Sequence, residues 1–156
     1  PNDPAVPLEP TPEAVEDAQA AVRLIRARAA EWKVDPGKLG FIGYSAGAMT
    51  ALGVGLAPDT ASRPDFIAPI YPPMMARQVA SDAPPMFLAI ALDDELFAGQ
   101  RPLGLIDSWR GAKRPLEVHL YGRGGHGFSM NPGFASAGLV LDQFVAWMRD
   151  RGILRK

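Results

Sequence analysis

A chain of 156 residues, 47% hydrophobic and 21% charged, has the size and composition of one globular domain able to bury a sizeable core. Its formal net charge of −1, with both signs scattered, offers no basic patch for phosphate, so no nucleic-acid partner is expected. The absence of cysteine excludes disulfides, thiolate metal sites and cysteine nucleophiles, and no apolar run reaches the about 18–20 residues that cross a bilayer, so a soluble chain without a membrane partner is expected.

Residues 1–12 carry five prolines (Pro1, Pro4, Pro7, Pro10 and Pro12) and read as an extended arm, because proline fixes φ and removes a donor. Residues 13–156 form the folded region. Thr11 followed by Pro12 reads as an N-cap and a first-turn proline, with Glu13, Glu16 and Asp17 favoured by the helix dipole. Val15, Ala18, Val22, Ile25, Ala29 and Trp32 recur at spacings of three and four, which predicts a helix of about 20 residues. Arg23, Arg26 and Arg28 lie off that stripe and are expected in solvent. Asp35-Pro36-Gly37 ends the segment with turn chemistry.

Short apolar runs and helical stretches then alternate. Strands are expected at Leu39–Gly43, Phe66–Tyr71, Met86–Leu92 and Leu116–Tyr121, and helices at Ala46–Leu56, Leu103–Gly111 and Phe134–Arg151. The last helix is expected to place Leu141, Phe144, Val145 and Met148 on one side. Nearly continuous apolar strands alternating with helices mean an α/β fold, a mostly parallel sheet with helices on both faces.

Gly43-Tyr44-Ser45-Ala46-Gly47 is a G-x-S-x-G sequence between a strand and a small-residue helix. That placement puts Ser45 on a strained turn with its hydroxyl above the sheet edge, and aims the Ala46 N–H at a substrate oxygen. A serine hydroxyl is a poor nucleophile without a base. Of the chain's two histidines, His126 stands in a glycine-rich loop directly after the last strand, whereas His119 is inside that strand and reads as a half-buried packing residue. Asp93 and Asp94 follow the strand Met86–Leu92 at its carboxyl end, where sites in open α/β sheets lie. One of them is expected to orient the imidazole and the other to be solvated or to cap a turn. The order Ser, Asp, His results.

These segments resemble a known family. Glu13-Ala14-Val15-Glu16-Asp17, Trp32-x-Val34-Asp35-Pro36, Gly43-Tyr44-Ser45-Ala46-Gly47, Asp93-Asp94-Glu95-Leu96-Phe97 and Tyr121-Gly122-Arg123-Gly124-Gly125-His126-Gly127-Phe128 are similar to stretches of the bacterial esterases and acetylxylan esterases of the α/β-hydrolase superfamily, in the branch with hormone-sensitive-lipase-like and dienelactone-hydrolase-like enzymes. The resemblance spans residues 8–152. It implies the C-terminal part of an α/β-hydrolase fold and gives the orienting role to the second acid, Asp94. It implies a serine esterase with Ser45, Asp94 and His126 as its triad, Ala46 N–H as an oxyanion donor, a short acyl group such as acetyl on a sugar, and no metal or organic cofactor.

Tyr44, Tyr71 and Phe128 are the candidate substrate-binding residues. Pro72, Pro73, Met74 and Met75 belong either to the same compact pocket or to plain packing. The family's His-Gly-Gly-type oxyanion loop and about four preceding strands have no counterpart before Ser45. With Pro1 in first place, a processed or trimmed chain is expected, its strand Leu39–Gly43 paired by an N-terminal fragment of the same gene product or by a second copy. The compartment stays open between cytoplasm and secretion. Two other readings also stay open: a lactone or peptide hydrolase using the same triad, and a truncated form with little activity.

Overall fold

The computed structural model describes residues 8–96, 103–130, 133 and 136–154. Most of the proline arm, Phe97 and the expected start of the last helix at Phe134 lie outside the described residues. Helix α1 (Pro12–Ala27) starts as its cap residues dictate, with Thr11 Oγ1 accepting the Ala14 N–H at 3.3 Å. The expected helix of about 20 residues does not run through to Trp32. It breaks at Arg28 (φ −105°, ψ 13°), and the single turn α2 (Ala29–Trp32) ends at Lys33 in the left-handed region. Ala18, Val22 and Ala29 are buried, but the break turns Trp32 out of the core, where the Arg28 guanidinium stands 5.8 Å over its ring.

Arg26 also departs from expectation. It is not a solvated residue. Its guanidinium donates to Pro36 O, Ala61 O and the Asp65 carboxylate, tying the end of α1 to the entrance of the sheet. Asp65 in turn accepts the Leu39 N–H at 2.8 Å, and its own N–H donates to Leu39 O. Leu39 is therefore held as a bracket ahead of the strand, and β1 runs one residue later than the sequence pattern suggests, over Gly40–Tyr44.

Four parallel strands follow in the order β1, β2 (Phe66–Ile70), β3 (Met86–Ala91) and β4 (Leu116–Tyr121). Every residue of β2 and β3 is buried, which is why both strands read as unbroken apolar runs. Helix α3 (Ala46–Gly55) packs on β1 and β2. Helix α4 (Gly104–Gly111) is pinned by Trp109, fully buried, whose indole N–H donates to Pro84 O at 3.1 Å. Helix α5 (Val140–Asp150) covers a second aromatic layer, in which Phe66 and Phe87 meet Phe144 and Trp147 at ring separations of 5.2–6.3 Å.

The phase of α5 corrects another expectation. A 3₁₀ turn at Ala137–Leu139 delays the helix to Val140, so that Val140, Phe144 and Trp147 point inward at i, i+4 and i+7. Leu141, one residue out of phase, is left 52% exposed. His119 lies in β4 as a half-buried residue, its ring 4.9 Å from Phe87 and its Nε2 3.2 Å from a Glu117 carboxylate oxygen. β1 forms one margin of the sheet. Among the described residues it pairs with β2 alone, and Ile42 is 39% exposed. No helix among the described residues is long and apolar enough to cross a membrane.

Because all four strands run the same way, their carboxyl ends lie along one edge of the sheet. Ser45 follows β1, Tyr71 follows β2, the Asp93-Asp94 pair follows β3, and the glycine-rich loop with His126 follows β4. Parallel topology alone gathers residues far apart in sequence onto one rim.

Candidate active site

Ser45 occupies the sharp turn between β1 and α3 at φ 53° and ψ −116°. A side-chain-bearing residue rarely adopts a positive φ, and the surrounding hydrogen bonds hold it there. Its N–H donates to Ile70 O across the sheet at 3.1 Å, and its carbonyl accepts the N–H groups of Ala48 and Met49. The turn lifts Oγ clear of the sheet. Ala46 is the first residue of α3 and is exposed, so its amide belongs to the opening turn of a helix, where N–H groups have no intrahelical acceptor.

His126 reaches Ser45 from the loop after β4. Ser45 Oγ and His126 Nε2 are 2.7 Å apart, and His126 Nδ1 is 2.8 Å from Asp94 Oδ2. The chemistry of the partners assigns the protons. A carboxylate only accepts, so Nδ1 carries the hydrogen and donates to Asp94. Neutral Nε2 is then an acceptor, and the Ser45 hydroxyl donates to it. Asp94 is 3% exposed, and its other oxygen accepts the Leu96 N–H at 3.0 Å, so the carboxylate is fixed at both ends. Such a series can take a proton from a hydroxyl while an adjacent carboxylate balances the imidazolium that forms.

The loop gains its shape from two glycines on either side of the histidine, Gly125 at φ 64° and Gly127 at φ 79°. The backbone N–H of Gly125 donates to Asp93 Oδ1 at 2.8 Å. That contact holds the Asp93 carboxyl below the usual carboxylate range, with burial opposing and Arg123 adding a smaller downward push. A carboxyl whose folded pKa is depressed holds its bond above the unfolded pKa and loses it as pH falls through the folded one, so this contact persists at neutral pH. The sequence marks Asp93 only as the spare member of an acidic pair. Its proximity to the glycine-rich loop is set by β3 and β4 lying side by side, with Ala91 opposite Tyr121.

The aromatic residues correct part of the sequence reading. Tyr71 is 2% exposed and Phe128 fully buried, so neither presents a surface to a ligand in this arrangement. They back the histidine instead. The Tyr71 ring lies edge-on to His126 at 4.9 Å and to Phe128 at 5.2 Å, and the Tyr71 hydroxyl and Ser129 hydroxyl are 3.1 Å apart. Tyr71 also carries a positive φ of 43°, a strained conformation for a buried tyrosine directly after a strand. Met74, 1% exposed, is packing, as are the buried Pro72 and Pro73. Of the three aromatics expected at the substrate, Tyr44 alone keeps partial exposure. Burial raises its phenol pKa, with Tyr71 adding to the effect.

The arrangement defines a class: parallel α/β proteins with a strained serine between a strand and a helix, and an acid and a histidine at the carboxyl ends of two further strands of the same sheet. The particular family follows from comparison. The chain belongs to the alpha/beta hydrolase fold family, whose sequence model matches residues 4–84. No curated protein matches the sequence. Among solved structures it is similar to an acetyl ester-xyloside bifunctional hydrolase from Caldicellulosiruptor lactoaceticus, with TM-score 0.81, 22% identity and coverage of 93% of this chain and 68% of that one. A carboxylesterase from Lactobacillus plantarum superposes with TM-score 0.81 at 18% identity, over 97% of this chain and 72% of that protein. A thermophilic esterase from Thermogutta terrifontis with butyrate bound gives TM-score 0.76 at 20% identity, over 90% of this chain and 66% of that one. The chain thus spans about two thirds of the length of these proteins.

Proposed function

We propose that this chain hydrolyses carboxylic esters through an acyl-enzyme, with Ser45 as nucleophile, His126 as base and then acid, and Asp94 as the residue that orients His126. The observation that carries the reading is the alignment of Ser45 Oγ, His126 and Asp94 at 2.7 and 2.8 Å. Ser45 Oγ attacks the ester carbonyl as its proton passes to His126 Nε2. The carbonyl oxygen becomes an oxyanion, for which the Ala46 N–H is a donor. Collapse of the tetrahedral intermediate breaks the C–O bond to the alcohol, which leaves with the proton from His126. Water then repeats the sequence on the acyl-serine, releasing the acid and restoring the hydroxyl.

A short acyl group fits this reading best. Tyr71 and Phe128 close the space behind His126, and two of the similar structures are named for an acetyl ester hydrolase and a butyrate complex. Turnover of p-nitrophenyl esters is expected to peak at acetate or propionate and to drop steeply toward octanoate. A rate that rises through octanoate would replace the compact site with a lipase-like groove.

The reading extends to the margin of the sheet. β1 carries the serine at its end, yet presents N–H and C=O groups away from β2 with no strand beside them among the described residues. Its sequence holds no proline or charge to discourage pairing. We infer that a further strand, from an N-terminal piece of the same gene product or from another copy of the chain, pairs with this edge. Light scattering after size-exclusion chromatography is expected to show a species larger than the 16.7 kDa chain. A monodisperse and fully active monomer would reject the pairing.

A further inference from the structure

We propose that Asp93 is a positioning residue for His126: its carboxylate holds the Gly125 amide, and through it the main chain that presents the imidazole to Ser45. The proposal rests on the reading of Ser45 and His126 given above. The loop from Tyr121 to Phe128 contains glycine at 122, 124, 125 and 127, so little within it limits the backbone. Two consecutive acids on the turn after β3 grip two consecutive residues of that loop. Asp93 Oδ1 accepts from Gly125 N and Asp94 Oδ2 accepts from His126 Nδ1, each at 2.8 Å. One bond fixes the ring and the other fixes the backbone immediately before it. The hydrogen-bonded pairing of β3 with β4 sets the spacing between the two anchor points.

Capping the local turn does not account for Asp93. That turn is closed by the Asp94 N–H to Ala91 O at 3.3 Å and by the Leu96 N–H to Asp94 Oδ1, neither of which uses the Asp93 side chain. Packing does not account for it either, since Asp93 is exposed and its removal opens no cavity. The charged group facing it is Arg123, on the loop it holds. A released loop lets His126 wander from Ser45, and small misplacements of reacting groups are costly because proximity supplies much of the rate.

The test compares Asp93→Ala and Asp93→Asn with the parent chain. Asp93→Ala is expected to lower kcat on p-nitrophenyl acetate by about 10-fold with KM little changed. Asp93→Asn retains an acceptor oxygen for the Gly125 N–H and is expected to recover most of that loss. Proton NMR supplies a readout independent of turnover: the low-field His126 Nδ1–H signal should broaden in Asp93→Ala and sharpen again in Asp93→Asn. Asp93→Ala with parental kcat and an unchanged signal would overturn the proposal, as would an Asn variant no better than Ala. Retention of full hydrolysis by Ser45→Ala would instead remove the mechanism, while the NMR comparison would still decide the role of Asp93.

Discussion

Ser45→Ala and His126→Ala are each expected to lower ester turnover by on the order of 10⁴–10⁶ while leaving the fold unchanged. The size of the effect follows from what each atom does. In the proposed reaction, removing Oγ removes the acyl-enzyme, and removing Nε2 removes the acceptor 2.7 Å from the hydroxyl. Neither side chain belongs to the core, because Ser45 and His126 are half-buried at the rim of the sheet. Asp94→Asn is expected to cost on the order of 10³–10⁴, since an amide nitrogen turned toward Nδ1 favours the wrong imidazole tautomer. Steady-state kinetics on a p-nitrophenyl ester measures all three, and mass spectrometry after treatment with a fluorophosphonate should find the label on Ser45. Full activity in Ser45→Ala would reject the assignment outright.

The second large effect is on stability and separates the two glycines of the G-x-S-x-G sequence. A Cβ built on Gly43 would lie 1.9 Å from Gly47 O, 2.3 Å from Gly47 C and 2.9 Å from Ala48 N. These are backbone atoms of the helix start, held by the turn that strains Ser45, and no side-chain rotation relieves the overlap. Gly43→Ala is therefore expected to destabilise the fold by at least about 3 kcal/mol, or to give no soluble protein. A Cβ on Gly47 meets nothing within 4 Å. Gly47→Ala sits in the first turn of α3 and is expected to unfold within about 1 kcal/mol of the parent. Urea unfolding of the two variants checks this, and equal midpoints would contradict the close approach of β1 and α3.

Much of the fold was legible from local pattern. The cap at Thr11, the apolar runs of β2, β3 and β4 and the small-residue helix after Ser45 each follow from rules that act within a few residues. Some elements departed from expectation through distant contacts, and α5 through a turn just before it. Asp65 moved the start of β1 by bracketing Leu39, and Asp65 together with the carbonyls of Pro36 and Ala61 drew Arg26 out of solvent. The 3₁₀ turn before α5 reset its phase and exchanged Leu141 for Val140 and Trp147 in the core. Tyr71 and Phe128 are apolar enough to line a pocket or to fill a core, and composition does not distinguish the two.

By itself the sequence singled out the candidate residues. It supplied a serine in a G-x-S-x-G turn after a strand, a histidine in a glycine-rich loop, and two carboxylates after an apolar strand. Their separate places at strand ends follow from periodicity, which is a local property of the chain. The tertiary structure decided how those ends meet. Parallel order β1-β2-β3-β4 brings residues 45, 94 and 126 together on one rim, and pairing of β3 with β4 gives Asp94 the imidazole and Asp93 the backbone of the loop. It also decided that Tyr71 and Phe128 stand behind His126 and that β1 is a margin. The physical reason is that contacts across a sheet depend on strand order and register, which arise from burial of the whole apolar surface at once and leave no mark in any short stretch of sequence.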